Sequence, residues 1–314
     1  MSAATDVERL VVGVVGPTAT GKSDLAIALA QRLRGEVVGA DASQLYRGMD
    51  IGTAKVPLEG RHGIPHHQLD VLDVTQEASV AAYQRHARDD IEAVLGRGAL
   101  PVVAGGSGLY VRAALDRLDI PPTDPEVRAG LQERLDREGV AALLAELRVA
   151  DPGAAEAIQP NNGRRVVRAL EVIALTGRPF SATMPTREFV RPTVLVGLRT
   201  DREALDARID RRASGMFDAG LVDETRGLVA LGLREGRTAS RAVGYAQALA
   251  VIDGTATLED AVADTALRTR RLVRRQESWF GADPRISWFD PFAGPWDSLV
   301  DRVVEHVTHN GAHG

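Results

Sequence analysis

Short apolar runs alternate with segments of helical spacing over the first part of the chain. Leu10–Val15 is almost continuously apolar, as is typical of a strand that is buried on both faces. Similar short runs at 36–40 and 100–104 predict two more strands, and residues 79–97 have the spacing of an amphipathic helix. Because strands that alternate with helices form parallel sheets, this part predicts an α/β fold with a parallel-sheet core.

The pattern changes after residue 120, where only helical periodicity continues to about Phe180. A strand pattern returns at Thr193–Leu198, helices follow, and Arg285–Phe289 is the last predicted strand. The simplest interpretation is an all-helical domain inserted into the α/β core. The predicted core comprises residues 1–119 and 193–314, and the predicted insertion comprises residues 120–192.

Composition narrows the class of protein. Hydrophobic residues make up 44% of the 314 residues, and the net charge is −5, which argues against a uniformly basic nucleic-acid binder. The chain has no cysteine, which excludes disulfides, thiolate catalysis and cysteine-ligated zinc. No apolar signal core or membrane-length run is present, so we expect a cytoplasmic protein without membrane contact. Without an extended heptad pattern, we expect a monomer.

A phosphate-binding pattern lies between the first predicted strand and the next helix. The pattern is G-x-x-x-x-G-K-S, and its residues are Gly16, Pro17, Thr18, Ala19, Thr20, Gly21, Lys22 and Ser23. In this context the backbone N–H groups cradle a diphosphate or triphosphate at the helix N-terminus. Lys22 supplies a positive charge, and Ser23 supplies a hydroxyl ligand for Mg²⁺. The loop alone fits both a kinase and a transferase that expels pyrophosphate.

Further motifs resemble one family of transferases. The segment Asp41–Lys55 is followed by Pro65-His66-His67 with Asp70, by Gly105–Tyr110, by Arg164–Val172 and by Gly244-Tyr245. Together, and in this order, these motifs resemble the tRNA dimethylallyltransferases over nearly the whole chain. The resemblance implies that N6 of the adenosine immediately 3′ of the anticodon attacks dimethylallyl diphosphate and expels pyrophosphate. The implied substrates are tRNAs that read codons beginning with U.

The resemblance also implies roles for individual residues. Asp41 matches the family's general base, which the weakly nucleophilic aromatic amine requires; an alternative is an aspartate that only caps the following turn. Lys22 and Ser23 with Mg²⁺ would neutralise the departing pyrophosphate. The family's additional arginine aligns with Arg212, and the adjacent Arg211 is an alternative.

The implied tRNA contacts form two groups, one around Asp41 and one in the insertion, where the family touches the anticodon stem-loop. Gln44 could pair with the edge of a flipped adenine, and Ser107 replaces the usual threonine while keeping its hydroxyl. The expected tRNA-binding residues are Asp41, Ala42, Ser43, Gln44, Ser107, Arg128, Arg164, Arg165, Val166, Val167 and Arg168. A second basic cluster on a late helix could also bind RNA, although it could equally be a solvated face. Its residues are Arg268, Arg270, Arg271, Arg274 and Arg275.

Three alternatives remain at this stage. A transferase that prenylates free adenine nucleotides would share the loop and the base, but it would not need the insertion or its arginines. A small-molecule kinase and a non-catalytic RNA-binding protein are the other two. We expect His62, His66 and His67 to lie in a polar loop near the substrate channel rather than to bind a metal.

Overall fold

A computed structural model of the chain describes residues 10–183 and 187–311. They form two compact units, and the second is a continuous insertion in the first. The first unit contains the residues up to Leu115 and those from Phe189 onward. The second unit runs from Asp116 to Glu188, whereas the sequence predicts an insertion of residues 120–192.

The chain begins with alternating strands and helices. In chain order these are β1 (Val11–Val15), α1 (Lys22–Leu33), β2 (Gly35–Gly39), β3 (His66–His67), α2 (Val80–Gly96), β4 (Leu100–Gly105) and α3 (Gly108–Leu115). The second unit contributes α4 (Pro125–Glu138), α5 (Val140–Ala150), α6 (Pro152–Ala157) and α7 (Gly163–Thr176). The first unit then continues with β5 (Thr193–Leu198), α8 (Arg202–Asp218), α9 (Leu221–Ala230), α10 (Tyr245–Ile252), α11 (Leu258–Gly281), β6 (Ile286–Phe289) and α12 (Trp296–Gly311).

Within the described residues, six strands form one parallel sheet in the order β3-β2-β4-β1-β5-β6. β1 lies in the interior of the sheet, and all five of its residues are buried. The residues that follow β1, β2 and β4 therefore meet at the carboxyl edge of the sheet, where open α/β sheets bind ligands. The predicted α/β fold with a parallel-sheet core is confirmed.

Helices cover both faces of the sheet. On one face, Leu25 and Leu29 of α1 and Leu299 and Val303 of α12 belong to the same core cluster as the buried valines of the sheet. α2 packs against β2, and the hydroxyl of its Tyr83 donates a hydrogen bond of 2.9 Å to the carbonyl of Gly39. This coverage explains why the central strands are apolar on both faces.

The second unit has a hydrophobic core of its own. Leu143 and Leu147 of α5 pack with Val166 and Leu170 of α7 in one buried cluster. Polar side chains at the helix starts accept hydrogen bonds from backbone N–H groups that lack helical partners: Asp124, Asp151 and Asn162 cap α4, α6 and α7. In its described residues, the named elements of this unit are all helices, as the sequence predicts.

The histidine segment differs from the sequence-based expectation of a polar loop. His66 and His67 form β3, the edge strand, because they pair in parallel with Val37 and Val38 of β2. Two residues are too few for an alternating pattern. β3 therefore forms because it pairs with β2, not because of an intrinsic strand propensity. Of the helices in the described part of the chain, none is long and apolar enough to cross a membrane.

Candidate active site

A cavity of about 440 Å³ opens at the carboxyl edge of the sheet, within the first unit. The phosphate-binding loop forms one wall, and α8 contributes arginines to another. Polar and charged side chains line much of this cavity, among them Thr18, Lys22, Ser23, Asp41, Gln44, Arg208 and Arg212. A second recess of about 140 Å³ shares Thr18, Asp41 and Arg212 with this cavity, and its other lining residues include Ile209, Met216 and Leu272. The site therefore joins a charged chamber to a more apolar one.

The phosphate-binding loop has the left-handed backbone that its glycines permit. Gly16 has φ 131 and Gly21 has φ 89, while the non-glycine Ala19 has φ 67. A side chain at Gly16 would also place its Cβ 2.4 Å from the carbonyl oxygen of Leu198. Only glycine fits this combination of backbone and space. Inside the loop, the hydroxyl of Thr20 donates a 2.8 Å hydrogen bond to the carbonyl of Pro17.

Lys22 folds back onto the loop that it belongs to. Its Nζ donates a hydrogen bond of 2.6 Å to the carbonyl of Pro17 and lines the cavity. Burial lowers the pKa of Lys22 to about 8, an effect that Asp41 opposes and Arg212 reinforces. A dianionic or trianionic ligand would reverse this shift, since a nearby negative charge favours the ammonium form.

Asp41 lies just beyond β2 and faces both chambers. Its Oδ1 accepts a hydrogen bond of 3.0 Å from the N–H of Ser43, so it also stabilises the turn that follows the strand. Its carboxylate is close enough to Lys22 and Arg212 to oppose the burial effect that lowers the pKa of each. The capping function and a chemical function are thus both compatible with its position.

Side-chain hydrogen bonds from Gln44 and Lys55 hold the segment that follows Asp41 in place. Gln44 lines the cavity and donates from Nε2 to the carbonyl of Thr53 at 3.1 Å. The nearly buried Lys55 donates to the carbonyl of Tyr46 and to the carboxylates of Asp50 and Asp70, at 2.9, 2.6 and 2.6 Å. These bonds fix the position of Gln44 before any ligand arrives.

A carboxylate that is distant in sequence also holds this segment in place. Glu224 of α9 accepts hydrogen bonds from the N–H of Ile51, at 2.9 Å for the closer oxygen, and from the hydroxyl of Tyr245 at 2.6 Å. The same hydroxyl accepts from the N–H of Gly52 at 3.2 Å. Tyr245, one of the residues that carry the resemblance, therefore supports this segment and does not itself line either chamber.

The arginines of α8 differ in their placement. Arg212 lines both chambers, and burial lowers its pKa although Asp41 opposes this effect. Arg211 is exposed and borders only the larger chamber. Arg208, which the sequence analysis did not single out, lines the larger chamber, donates from Nε to the carbonyl of Ala19 at 3.0 Å and stacks over the ring of Phe292. Its spacing of four residues from Arg212 was the available signal, because such residues share a helix face.

Ser107 lies at the start of α3 and lines the smaller recess. Its Oγ accepts a hydrogen bond of 3.4 Å from the N–H of Ala42, the residue after Asp41. The hydroxyl therefore already has a partner in the protein. A hydroxyl has one donor and two acceptor positions, so a second contact to a ligand is also possible.

In the second unit, a buried carboxylate organises two of the predicted arginines. Glu171 is fully buried and accepts from Arg128 and from Arg168, each at 2.8 Å for the closest pair. Arg168 also donates to the carbonyls of Pro121 and Pro122, at 2.8 and 2.9 Å. Arg128 and Arg168 thus have structural partners, and no local sequence pattern indicates the pairing of Arg128 with Glu171.

The remaining predicted residues of this unit separate into two kinds. Arg164 and Arg165 are exposed in the first turn of α7. Val166 and Val167, at 0% and 3% exposure, belong to the core cluster of the unit. Their side chains are therefore enclosed in the core of this unit, and the prediction that these two residues bind tRNA remains a prediction.

The late basic helix is α11. Arg268, Arg271, Arg274 and Arg275 are exposed there, and Arg270 is partly buried. Arg268 pairs with Asp264, and Arg270 pairs with Asp210 of α8. The exposed Trp279 packs against Gly108, where any Cβ would lie 2.1 Å from the indole. This helix therefore carries an exposed basic face next to an aromatic ring.

The histidines do not border either chamber, contrary to the expected position near the substrate channel. His67 lies between Glu36 and Asp90, with Nε2 at 2.7 Å and Nδ1 at 3.7 Å from their oxygens. His66 bonds through Nδ1 to the carbonyl of Ile64 at 2.8 Å, and burial lowers its pKa. Among residues 10–183 and 187–311, no group of three or more His, Cys, Asp or Glu side chains could hold a metal.

The matching family profile and the similar sequences of known proteins agree with one another. The profile of the family described as IPP transferase matches residues 44–283. A tRNA dimethylallyltransferase of Streptomyces coelicolor is 59% identical over 288 residues, which is 92% of each chain. One of Nocardia farcinica is 59% identical over 283 residues, which is 90% of each chain.

Solved structures agree with these sequence relatives. The tRNA isopentenylpyrophosphate transferase of Bacillus halodurans superimposes with a TM-score of 0.72 at 39% identity, over 98% of this chain and 97% of that one. A eukaryotic dimethylallyltransferase acting on tRNA superimposes with a TM-score of 0.83 at 26% identity, over 96% of this chain and 79% of that one.

Proposed function

Because the chain belongs to the IPP transferase family, we propose that it transfers a dimethylallyl group from dimethylallyl diphosphate to tRNA. The acceptor is N6 of the adenosine immediately 3′ of the anticodon, in tRNAs that read codons beginning with U. The products are N6-isopentenyladenosine in tRNA and pyrophosphate. The observation that supports this most directly is that Asp41 lines both the charged chamber and the more apolar recess.

The proposed reaction follows from the order of groups across the two chambers. The N6 lone pair forms a bond to C1 of the dimethylallyl group while the C1–O bond breaks, and its electron pair leaves with pyrophosphate. Asp41 accepts the proton from N6, which a carboxylate at this edge of the sheet can reach. Gln44, whose carboxamide is fixed through Thr53, would hold the adenine edge.

The leaving group would occupy the charged chamber. Lys22, Arg208 and Arg212 line this chamber together with the phosphate-binding loop. Positive charge that is already in place stabilises the negative charge that develops on pyrophosphate as the C1–O bond breaks. This preorganisation is the chief contribution of the protein to breaking the C1–O bond.

Mg²⁺ is the cofactor that we propose. The hydroxyl of Ser23 and the carboxylate of Asp24 both line the chamber, and oxygen donors of this kind suit Mg²⁺ alongside phosphate oxygens. Ser23 would hold the ion, which when bound neutralises diphosphate charge. Burial raises the pKa of Asp24, although Arg208 and Arg212 oppose this effect.

The tRNA anticodon stem-loop is the proposed macromolecular partner, bound by a monomer in the cytoplasm. Arg164 and Arg165 lie in the first turn of α7, where the helix dipole disfavours positive charge. An RNA phosphate would relieve this repulsion and accept hydrogen bonds from both side chains. The exposed arginines of α11 provide a second basic surface, in the first unit.

The test measures transfer of label from radioactive dimethylallyl diphosphate, with Mg²⁺, to unmodified tRNA, AMP or ATP in parallel. Asp41→Asn keeps the shape of the side chain but removes the base, and we expect it to lower kcat by about a hundredfold or more. The matched control is Asp253→Asn, since Asp253 is exposed and paired with Arg234 on the surface. We expect this control to retain full activity.

The outcomes separate the alternatives. Label in tRNA alone, lost in Asp41→Asn, supports the proposal. Label in AMP or ATP would assign the protein to the prenylation of free nucleotides. Release of ADP from ATP would indicate a kinase, and the absence of label in every acceptor would overturn the transferase proposal.

A further inference from the structure

Gln276 of α11 connects two loops of the candidate active site through its carboxamide. Its Oε1 accepts a hydrogen bond of 2.9 Å from the N–H of Thr18, in the phosphate-binding loop. Its Nε2 donates a hydrogen bond of 2.9 Å to the carbonyl of Gly106, just after β4. The side chain is only 8% exposed, so both bonds lie away from bulk water.

The surroundings of Gln276 leave little freedom for the bridge to shift. A Cβ on Gly106 would lie 2.4 Å from Nε2, so the absence of a side chain there allows the carboxamide to approach the backbone. One turn earlier on α11, Val273 is buried in a cluster with Leu205 and Ile209 of α8. The helix that presents Gln276 is therefore fixed against the helix that presents Arg208 and Arg212.

The loop after β4 in turn holds the backbone on both sides of Asp41. The N–H of Ala40 donates to the carbonyl of Ala104 at 2.8 Å, and the N–H of Ser107 donates to the carbonyl of Ala40 at 3.4 Å. Ser107 Oγ accepts from the N–H of Ala42 at 3.4 Å. A continuous series of bonds therefore runs from the phosphate-binding loop through Gln276 to the two neighbours of Asp41.

From this arrangement we infer that Gln276 is a positioning residue, which sets the separation between the diphosphate cradle and Asp41. The inference rests on the proposed transfer reaction, in which the leaving group occupies one of these loops and the base belongs to the other. Both parts must be placed correctly at the same moment, because the C1–O bond breaks as the bond to N6 forms. A displacement of about 1 Å between such groups can lower a rate by about a hundredfold.

The first variant is Gln276→Met, which keeps the length of the side chain and removes both hydrogen bonds. We expect it to lower kcat by about tenfold or more, while the KM for dimethylallyl diphosphate changes by less than about threefold. The cradle of Lys22, Arg208 and Arg212 remains intact, which is why binding should change less than turnover.

The matched control is Gln247→Met. Gln247 is also buried, accepts from the N–H of Gly244 at 2.8 Å and donates to Asp264 at 2.8 Å, but it borders neither chamber. The Gln247→Met substitution therefore removes an equivalent pair of buried hydrogen bonds from the same unit. We expect a comparable loss of melting temperature and a kcat within about twofold of the unsubstituted protein.

A second variant, Gln276→Glu, adds a readout that a purely structural role would not change. The protonated carboxyl can accept from Thr18 and donate to Gly106, whereas the ionised form repels the Gly106 carbonyl. The activity of this variant, divided by that of the unsubstituted protein at each pH, should therefore rise as the pH falls. The division cancels the pH dependence that the two proteins share. The charged groups nearest the bridge are the same in both proteins: Lys22 lines the larger chamber, and Asp41 and Arg212 line both.

The results separate this inference from the proposed function. It is overturned if Gln276→Met loses no more kcat than Gln247→Met, or if the activity ratio of Gln276→Glu does not change with pH. In either case, transfer by the unsubstituted protein would leave the proposed function intact. Absence of transfer by the unsubstituted protein would overturn both.

Discussion

At the scale of the residue, Lys22 is the group whose state depends most on what fills the site. Without a ligand its pKa is lowered to about 8 by burial, and its ammonium group rests on the carbonyl of Pro17. A diphosphate would both replace that carbonyl and favour the charged form. Binding should thus be coupled to protonation of this side chain.

The coupling predicts how diphosphate affinity varies with pH. Below about pH 8 the lysine is already charged in the free protein, so its titration adds no pH dependence to diphosphate binding. Above about pH 8, the affinity for diphosphate should fall by up to about tenfold per pH unit. The measurement is calorimetric titration with inorganic pyrophosphate between about pH 6.5 and 9.5. Lys22→Arg is the control, since a guanidinium stays charged throughout this range.

Pyrophosphate itself also titrates over this range, so the affinities of the two proteins must be compared as a ratio at each pH. Dividing the affinity of the unsubstituted protein by that of Lys22→Arg at each pH removes the contribution of pyrophosphate. A ratio that stays constant across the range would show that Lys22 does not take up a proton on binding.

At the scale of the element, α7 joins the interior of the helical unit to its basic surface. Burial alone would raise the pKa of Glu171, but the hydrogen bonds from Arg128 and Arg168 hold it below its usual range. Its contribution to stability is therefore complete above the unfolded pKa of about 4 and is lost as the pH falls through the lower folded pKa.

Glu171→Gln should lower the free energy of unfolding by about 2 kcal/mol at neutral pH, because it leaves two guanidinium groups without their shared counter-charge. Urea denaturation followed by circular dichroism measures this change. The control, Glu146→Gln, removes an exposed pair with Arg134 and should lower the free energy of unfolding much less, because water screens exposed pairs. Equal losses in the two variants would contradict a special contribution of Glu171.

The elements show what the sequence could and could not predict. The strand at Thr193–Leu198 has the predicted bounds, because its apolar run is preceded by a proline and is buried on both faces. β3 was missed, since two histidines form a strand only through their pairing with β2. The phosphate-binding loop was recognisable because its glycines and lysine are contiguous. By contrast, the bond between Thr18 and Gln276 joins residues 258 positions apart, which no local pattern records.

The same limit applies to the surface residues of the site. Arg164 and Arg165 were predicted and are exposed, whereas Val166 and Val167 lie within the same motif but face the core. A motif read as a continuous string cannot separate them, because a helix turns adjacent residues to different sides. Arg208 was missed for a related reason, since the signal for it was its helical spacing from Arg212 rather than a motif.

At the scale of the whole molecule, a net charge of −5 must be reconciled with a polyanionic partner. Arg271, Arg274 and Arg275 are exposed and close together on α11, so positive charge is concentrated on one face of that helix. Local clusters of this kind can hold phosphates although the whole chain is acidic.

This arrangement predicts the salt dependence of tRNA binding. Replacing Arg271, Arg274 and Arg275 by serine should weaken binding and reduce the slope of log affinity against log salt by about 0.7 to 0.9 for each lost phosphate contact. The control replaces Arg32, Arg226 and Arg234, exposed arginines that are paired with acidic residues elsewhere, and changes the net charge equally. If both triple variants alter the slope equally, net charge rather than contact determines binding.

The connection between Thr18 and Gln276 also bears on how the protein is made. A ribosome releases the phosphate-binding loop early, but β1 lies between β4 and β5, and the loop's partner on α11 is synthesised much later. At about 5–20 residues per second, many seconds separate the two. The nascent chain therefore carries a complete phosphate-binding motif before the helix that bonds to its Thr18 has been synthesised. A chain that ends before α11 contains the motif but lacks the bond to Gln276.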